Sequence, residues 1–197
     1  MILGISGTPG VGKTSIGLAV AKALNAFFVE LSPLAIEKKL YTEFDEERQS
    51  YVIDEEAVRK EIERLHNIHG DLVVAGHYVE ILGSDLVELV VVLRLNPLLL
   101  IDRLRKRGWS DRKIAENVEA ELLSVCTLNA VEELGEDKVV ELDVTNRSVD
   151  EVANEIIDIL LGEKPTPLGH RIDWLSIMRE DELDKVIRFI STARSTP

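Results

Sequence analysis

Cys126 is the only cysteine, so no intrachain disulfide can form and a reducing compartment, the cytoplasm, is expected. No basic segment accompanies the opening Met1-Ile2-Leu3-Gly4, and no secretory signal is expected. No apolar run approaches the roughly 18 residues that a membrane span needs, which excludes a membrane role. The N-K-x-D and D-x-x-G motifs of GTPases are both missing, as are internal repeats and low-complexity tracts. His66, His69 and His170 lack metal-ligand spacing and read as surface residues. Basic residues are outnumbered, 23 against 36 acids, and the net charge of −13 argues against strong direct binding to nucleic acid.

Within 197 residues, 45% of them apolar, there is room for one domain with a sizeable core. Five short apolar runs read as buried strands: Ile2 to Ile5, Phe27 to Leu31, Leu72 to Ala75, Leu89 to Leu93 and Lys138 to Leu142. Helical spacing lies between them, over Lys13 to Leu24 and around Pro33 to Tyr41, with an acidic loop after the latter. Asp54 opens a helix with the stripe Val58, Ile62 and Leu65, and Asn96-Pro97 opens one that stops near Gly108. Ser110 opens another, with the stripe Ile114, Val118, Leu122 and Val125, and Ser148 to Glu151 is a capping box. Continuous apolar strands alternating with helices predict an α/β fold, a parallel five-stranded sheet with helices on both faces. Residues 1–162 form the predicted core. Residues 163–197 form an extension made of a linker and a helix, in which Trp174, Leu183 and Ile187 read as a packing patch.

Gly7-Thr8-Pro9-Gly10-Val11-Gly12-Lys13-Thr14 fits G-x-x-x-x-G-K-[ST], with a strand before it and a helix after it. The glycines let backbone N–H groups converge on phosphate oxygens, Lys13 reaches the β and γ phosphates, and the Thr14 hydroxyl suits Mg²⁺. This is a P-loop NTPase signature with ATP and Mg²⁺ as the expected ligands. From Arg94 to Lys113 seven bases stand against two acids, so that window carries +5 and the rest of the chain −18. Arg94 and Arg103 in it are either phosphate ligands, which the guanidinium fork favours, or ion-pair partners of Asp102 and the acidic surface.

The P-loop, Phe44-Asp45-Glu46-Glu47, Val52-Ile53-Asp54-Glu55, Gly76-His77-Tyr78, Val92-Leu93-Arg94, Arg103 to Trp109 and Glu116 to Glu121 follow one another in an order that resembles the adenylate kinase isoenzyme 6 family. The resemblance covers residues 1–161. It implies a nucleoside monophosphate kinase with a short lid that also hydrolyses ATP and takes AMP or another monophosphate as acceptor. It implies as well a role in maturation of the small ribosomal subunit, with one of its ribosomal proteins as partner. Carried over, the ATP site falls on Gly10, Val11, Gly12, Lys13, Thr14 and Ser15, the acceptor region on about 30–53 and the lid on about 106–116. Arg107 matches an ATP-contacting arginine, Arg147 can cover the adenine, and His77 positions the acceptor or a water. Arg103 joins Lys13, Arg107 and His77 as an expected catalytic residue.

Two positions depart from the family pattern. Ala75 stands where an acid usually holds Mg²⁺ through its water shell; Asp54 or Glu55 substitutes for it, or else these serve only as helix cap and first-turn acids. Ile36 stands where an arginine commonly faces the acceptor phosphate, and Lys38 or Lys39 either compensates or is solvated surface. Two functions follow, a kinase or an assembly factor that uses ATP as a switch with little kinase turnover.

Overall fold

A computed structural model describes residues 1–45 and 50–195. Five strands, β1 (Ile2–Ser6), β2 (Phe27–Glu30), β5 (Leu72–Ala75), β6 (Leu89–Arg94) and β7 (Val139–Asp143), form one parallel sheet in the order β2-β5-β1-β6-β7. Side chains alternate faces along a strand. Leu3, Ile5, Val73, Val91 and Val140 therefore join one apolar cluster, and Ile2, Leu72, Val74, Val90 and Val139 join the other. Both faces are covered, which is why the strands read as unbroken apolar runs.

Helices α1 (Lys13–Leu24), α4 (Pro97–Lys106), α5 (Asp111–Leu122) and α7 (Val149–Leu160) cover the first face. Helix α3 (Glu55–His69), a 3-10 turn at Val79–Leu82 and α6 (Val125–Leu134) cover the second. The expected caps form. Asp54 accepts from the Ala57 N–H, Asn96 from Leu98 and Ser110 from Lys113, and Ser148 and Glu151 make the reciprocal box. Asp54 is thus a helix cap and does not replace an acid at position 75.

Three elements differ from expectation. Residues after α2 (Leu31–Lys38) form an antiparallel hairpin, β3 (Tyr41–Asp45) with β4 (Ser50–Ile53), instead of a loop. Tyr51 joins its strands, with ring centroids 4.3 Å from Tyr41 and 5.0 Å from Phe44. Glu46 and Glu47 of the family-like motif lie outside the described residues. The stripe expected to carry α5 through Val125 stops at Ser124, a left-handed residue with φ 58°, and α6 starts afresh.

The segment beyond Gly162 packs onto the core. Leu168 bridges Val140 antiparallel, capping the edge strand β7. Trp174, at the start of the short helix α8 (Trp174–Ile177), is buried in the α1-side cluster, and α9 (Glu180–Ser195) packs on α5 and α4. Ile187, expected in that packing patch, is exposed. Among the described residues no helix is long and apolar enough to cross a membrane.

Candidate active site

Residues 7–14 turn sharply at the carboxyl end of β1, the central strand between β5 and β6, where the chain order switches from the β2-β5 side of the sheet to the β6-β7 side. A Cβ on Gly7 (φ 131°) would lie 2.5 Å from the Leu93 carbonyl oxygen, and one on Gly10 (φ 99°) 2.9 Å from Leu100 and Leu104. The loop is therefore pressed against β6 and α4 at contacts only glycine allows. Lys13 folds over it, Nζ donating to the carbonyls of Gly7 at 2.6 Å and Thr8 at 2.9 Å. Burial lowers the Lys13 pKa to about 8. Arg103 Nη1 donates to the Gly10 and Val11 carbonyls at 3.4 Å, and Thr8 Oγ1 donates to Glu121 Oε2 at 2.7 Å, so the loop is tied on two sides.

Three cavities adjoin one another around this loop. The middle one, about 300 Å³, is lined by Gly12, Lys13, Thr14, Glu30, His77 and Arg107 among others. A second, about 410 Å³, shares Gly10, Gly12, Ser15 and Arg107 with it and extends to Arg103, Val144, Arg147 and Val149. A third, about 550 Å³, shares Ser32 and His77 with the middle one and extends to Ile36, Tyr51, Val52 and Glu55. Arg107 stands at one junction and His77 at the other. Among the described residues no carboxylate pairs with Arg107. His77 reaches solvent at the cleft mouth, yet the cleft walls desolvate it, and with the Lys13 charge they lower its pKa to about 4. It is a neutral imidazole at pH 7.

The Thr14 hydroxyl donates to Glu30 Oε1 at 2.8 Å. Glu30 and Ala75 are register partners on the parallel strands β2 and β5, so the acid missing at 75 has a counterpart one strand away at the same level. The hydroxyl and carboxylate together, facing the middle cavity beside Lys13, are a donor set that fits a hard cation such as Mg²⁺.

A family profile described as an AAA domain matches residues 3–124. Among solved structures, shikimate kinase from Acinetobacter baumannii in complex with shikimate superposes with a TM-score of 0.60 at 18% identity, covering 83% of this chain and 94% of that one. The tunicamycin resistance protein of Deinococcus radiodurans does so with 0.57 at 21%, covering 86% and 98%. A protein of Saccharolobus islandicus named "Putative adenylate kinase" is 42% identical over 187 residues, 95% of this chain and 96% of that one. The chain belongs to the adenylate kinase-like family. A relative of the same name in Methanocaldococcus jannaschii is 37% identical over 164 residues, covering 83% and 88%. The fold is that of P-loop NTPases of the nucleoside monophosphate kinase type.

In this adenylate kinase-like chain the residues expected around ATP meet at one cleft, with one exception from the basic window. Arg94 is no phosphate ligand. It is 1% exposed at the end of β6, Nε donating to Glu121 Oε1 at 2.8 Å and Nη1 to Glu141. Nη1 also donates to the Ile172 carbonyl at 3.0 Å, and Nη2 to the Glu121 carbonyl at 2.8 Å and Ser124 Oγ at 3.0 Å. Two buried carboxylates hold the guanidinium inside, which no local pattern announces. Lys38 and Lys39 are exposed surface, whereas Ile36 does line the third cavity. The lid range contains Ile114 and Ala115, both fully buried, so the first turn of α5 is fixed in the core. His170 is half-buried, its Nε2 3.0 Å from Ser124 Oγ, not a surface residue. Sequence reasoning missed Glu30 and Glu121. An acid closing the second strand, beside the P-loop in a parallel sheet, is the signal that points to Glu30.

Proposed function

We propose that this chain is a nucleoside monophosphate kinase that moves the γ-phosphoryl of ATP to AMP or a related monophosphate. The observation that carries this reading is that the P-loop cavity shares lining residues with a cavity on either side, Arg107 at one junction and His77 at the other. The donor base lies toward Arg147, Val144 and Val149, the phosphates over Lys13, and the acceptor between Ile36, Tyr51 and His77. The attacking group is a phosphate oxygen already ionised, so no general base is required, and a His77 neutral at pH 7 is in keeping with that. Lys13 and Arg107 supply positive charge where the transferring group passes, and Arg103 holds the loop carbonyls in place. Mg²⁺, held through Thr14 and Glu30, neutralises phosphate charge when bound. ADP formation from ATP, measured with and without each monophosphate, tests the reading. AMP should raise the rate severalfold or more, and a rate indifferent to every monophosphate overturns it.

A second reading is favoured by Ile36, which puts an exposed apolar side chain in the acceptor cavity where a phosphate-binding arginine would serve transfer. On it the chain acts as the isoenzyme 6 resemblance implies, an ATPase switch in small-subunit maturation. The −18 outside the basic window suits a basic ribosomal protein, reached by electrostatic attraction without RNA. A pull-down with purified small-subunit proteins at low and at high salt decides it. No ribosomal protein retained at low salt, with or without ATP, removes this reading and leaves the metabolic kinase.

A further inference from the structure

Next to the acceptor cavity, sharing Glu55 and Ile81 with it and lying between α3, the 3-10 turn Val79–Leu82 and α6, is a fourth cavity of about 470 Å³. We propose that it is a binding site for an organic cation, an alkylguanidinium or alkylammonium group, anchored by the carboxylate of Glu80.

The charged and polar side chains facing it are Glu55 and Arg59 from α3, Glu80 from the turn, and Asn129, Glu132 and Glu133 from α6. Glu80 is 7% exposed. Its Oε2 is buried with no hydrogen-bond partner, and the Asn129 side chain is the neutral polar group on the same cavity wall. A buried carboxylate oxygen left without a donor is costly, and the chain avoids it elsewhere. The other buried glutamates, Glu121 and Glu141, have both oxygens engaged by Thr8, Arg94, Trp174, Thr127 and backbone N–H groups.

Arg59 does not serve Glu80: its guanidinium pairs with Asp85 and, at 3.4 Å, with Glu63. The cavity therefore holds four carboxylates and one cation that is already committed. Burial, with the negative charges of Glu133 and Glu55, raises the Glu80 pKa to about 7, as expected of an acid that lacks its counter-ion. Among the described residues no three His, Cys, Asp or Glu groups converge closely enough to hold a metal ion. The negative charge is spread along the cavity walls instead, which suits an extended cation with several N–H donors. One donor group reaches Glu80, and the remainder of the charge faces Glu132 and Glu133.

Such a group belongs to a free polyamine or to an arginine or lysine side chain of another protein. Isothermal titration at low salt with agmatine, spermidine and an arginine-containing hexapeptide separates the two. Binding of agmatine or spermidine identifies a free cation, and binding of the peptide alone a protein side chain. In either case Glu80→Gln should weaken binding about tenfold or more, because a charge-assisted hydrogen bond is lost. Binding at pH 6.5 should release a proton from Glu80, read as a dependence of the heat on buffer ionisation enthalpy, and should release none at pH 8. The proton count is taken on the unmutated protein, so it stands even if the variant folds poorly. No binding by any of the three, equal affinity in Glu80→Gln, or binding without proton release at pH 6.5 overturns the proposal. A protonated Glu80 that needs no ligand is then its explanation.

Discussion

Glu30 meets the Thr14 hydroxyl at 2.8 Å, on the strand next to the position where the family pattern has its acid. If it orders the water shell of Mg²⁺, Glu30→Gln should weaken metal binding by about tenfold, the lower end of what outer-shell changes cost. Electron paramagnetic resonance of Mn²⁺ bound to the protein with ADP measures this directly, and unchanged affinity assigns Glu30 to Thr14 orientation only. Lys13 carries a second residue-scale prediction. Its pKa of about 8 belongs to the nucleotide-free loop, and phosphates at Nζ must raise it. Because the bound pKa exceeds the free one, binding of ATP takes up a proton as pH rises past 8, and affinity falls over that range. Calorimetry at pH 9 in two buffers reads the uptake. Lys13→Ala should reduce turnover at least about a hundredfold while leaving the circular dichroism unchanged.

At the scale of elements, α4 and α5 are both anchored in the core, through Leu100 and Leu104 in the one and Ile114 and Ala115 in the other, with the turn at Gly108 between them. Ile114 and Ala115 fix α5 in the core, and Arg105 is held over the Phe189 ring of α9 at 4.9 Å. Arg107, at the end of α4, pairs with no carboxylate among the described residues and lines both the P-loop cavity and its neighbour. Arg107→Ala should lower kcat about a hundredfold with a smaller rise in KM, since its charge acts chiefly on the transferring group. A rise in KM with kcat unchanged would make it a binding residue only. The five strands, the caps and the P-loop are legible in the sequence because each is a local pattern. The hairpin is not, since its strands are short and largely exposed and the aromatic pairing of Tyr51 with Tyr41 and Phe44 joins residues that no local pattern links. The end of α5 is not either. Its stripe runs on to Val125, whereas Ser124 takes a left-handed conformation in which its hydroxyl accepts from Arg94 Nη2, a partner 30 residues away in sequence. Arg94 itself looks like a phosphate ligand until Glu121 and Glu141, far along the chain, are seen beside it.

For the whole molecule the Arg94 cluster is the joint where sheet, P-loop and C-terminal segment meet. Glu121 accepts from Thr8 of the loop, from Arg94, and from the Trp174 indole at 2.9 Å. Arg94→Met leaves two buried carboxylates without their counter-ion and should cost about 3–5 kcal/mol, read from urea unfolding. A loss under about 1 kcal/mol would mean that water already reaches the cluster.

The position of Trp174 and Ile172 in that cluster also bears on the order of synthesis. Every strand of the sheet and the whole P-loop leave the ribosome before the residues that complete the cage around Arg94. A nascent chain that has reached Leu168 therefore has its nucleotide loop tied, through Thr8 and Glu121, to a charge cluster still open to water. Without residues 169–195, Arg94 lacks the Ile172 carbonyl and Glu121 lacks the Trp174 indole, the two contacts that close the cluster from the C-terminal side.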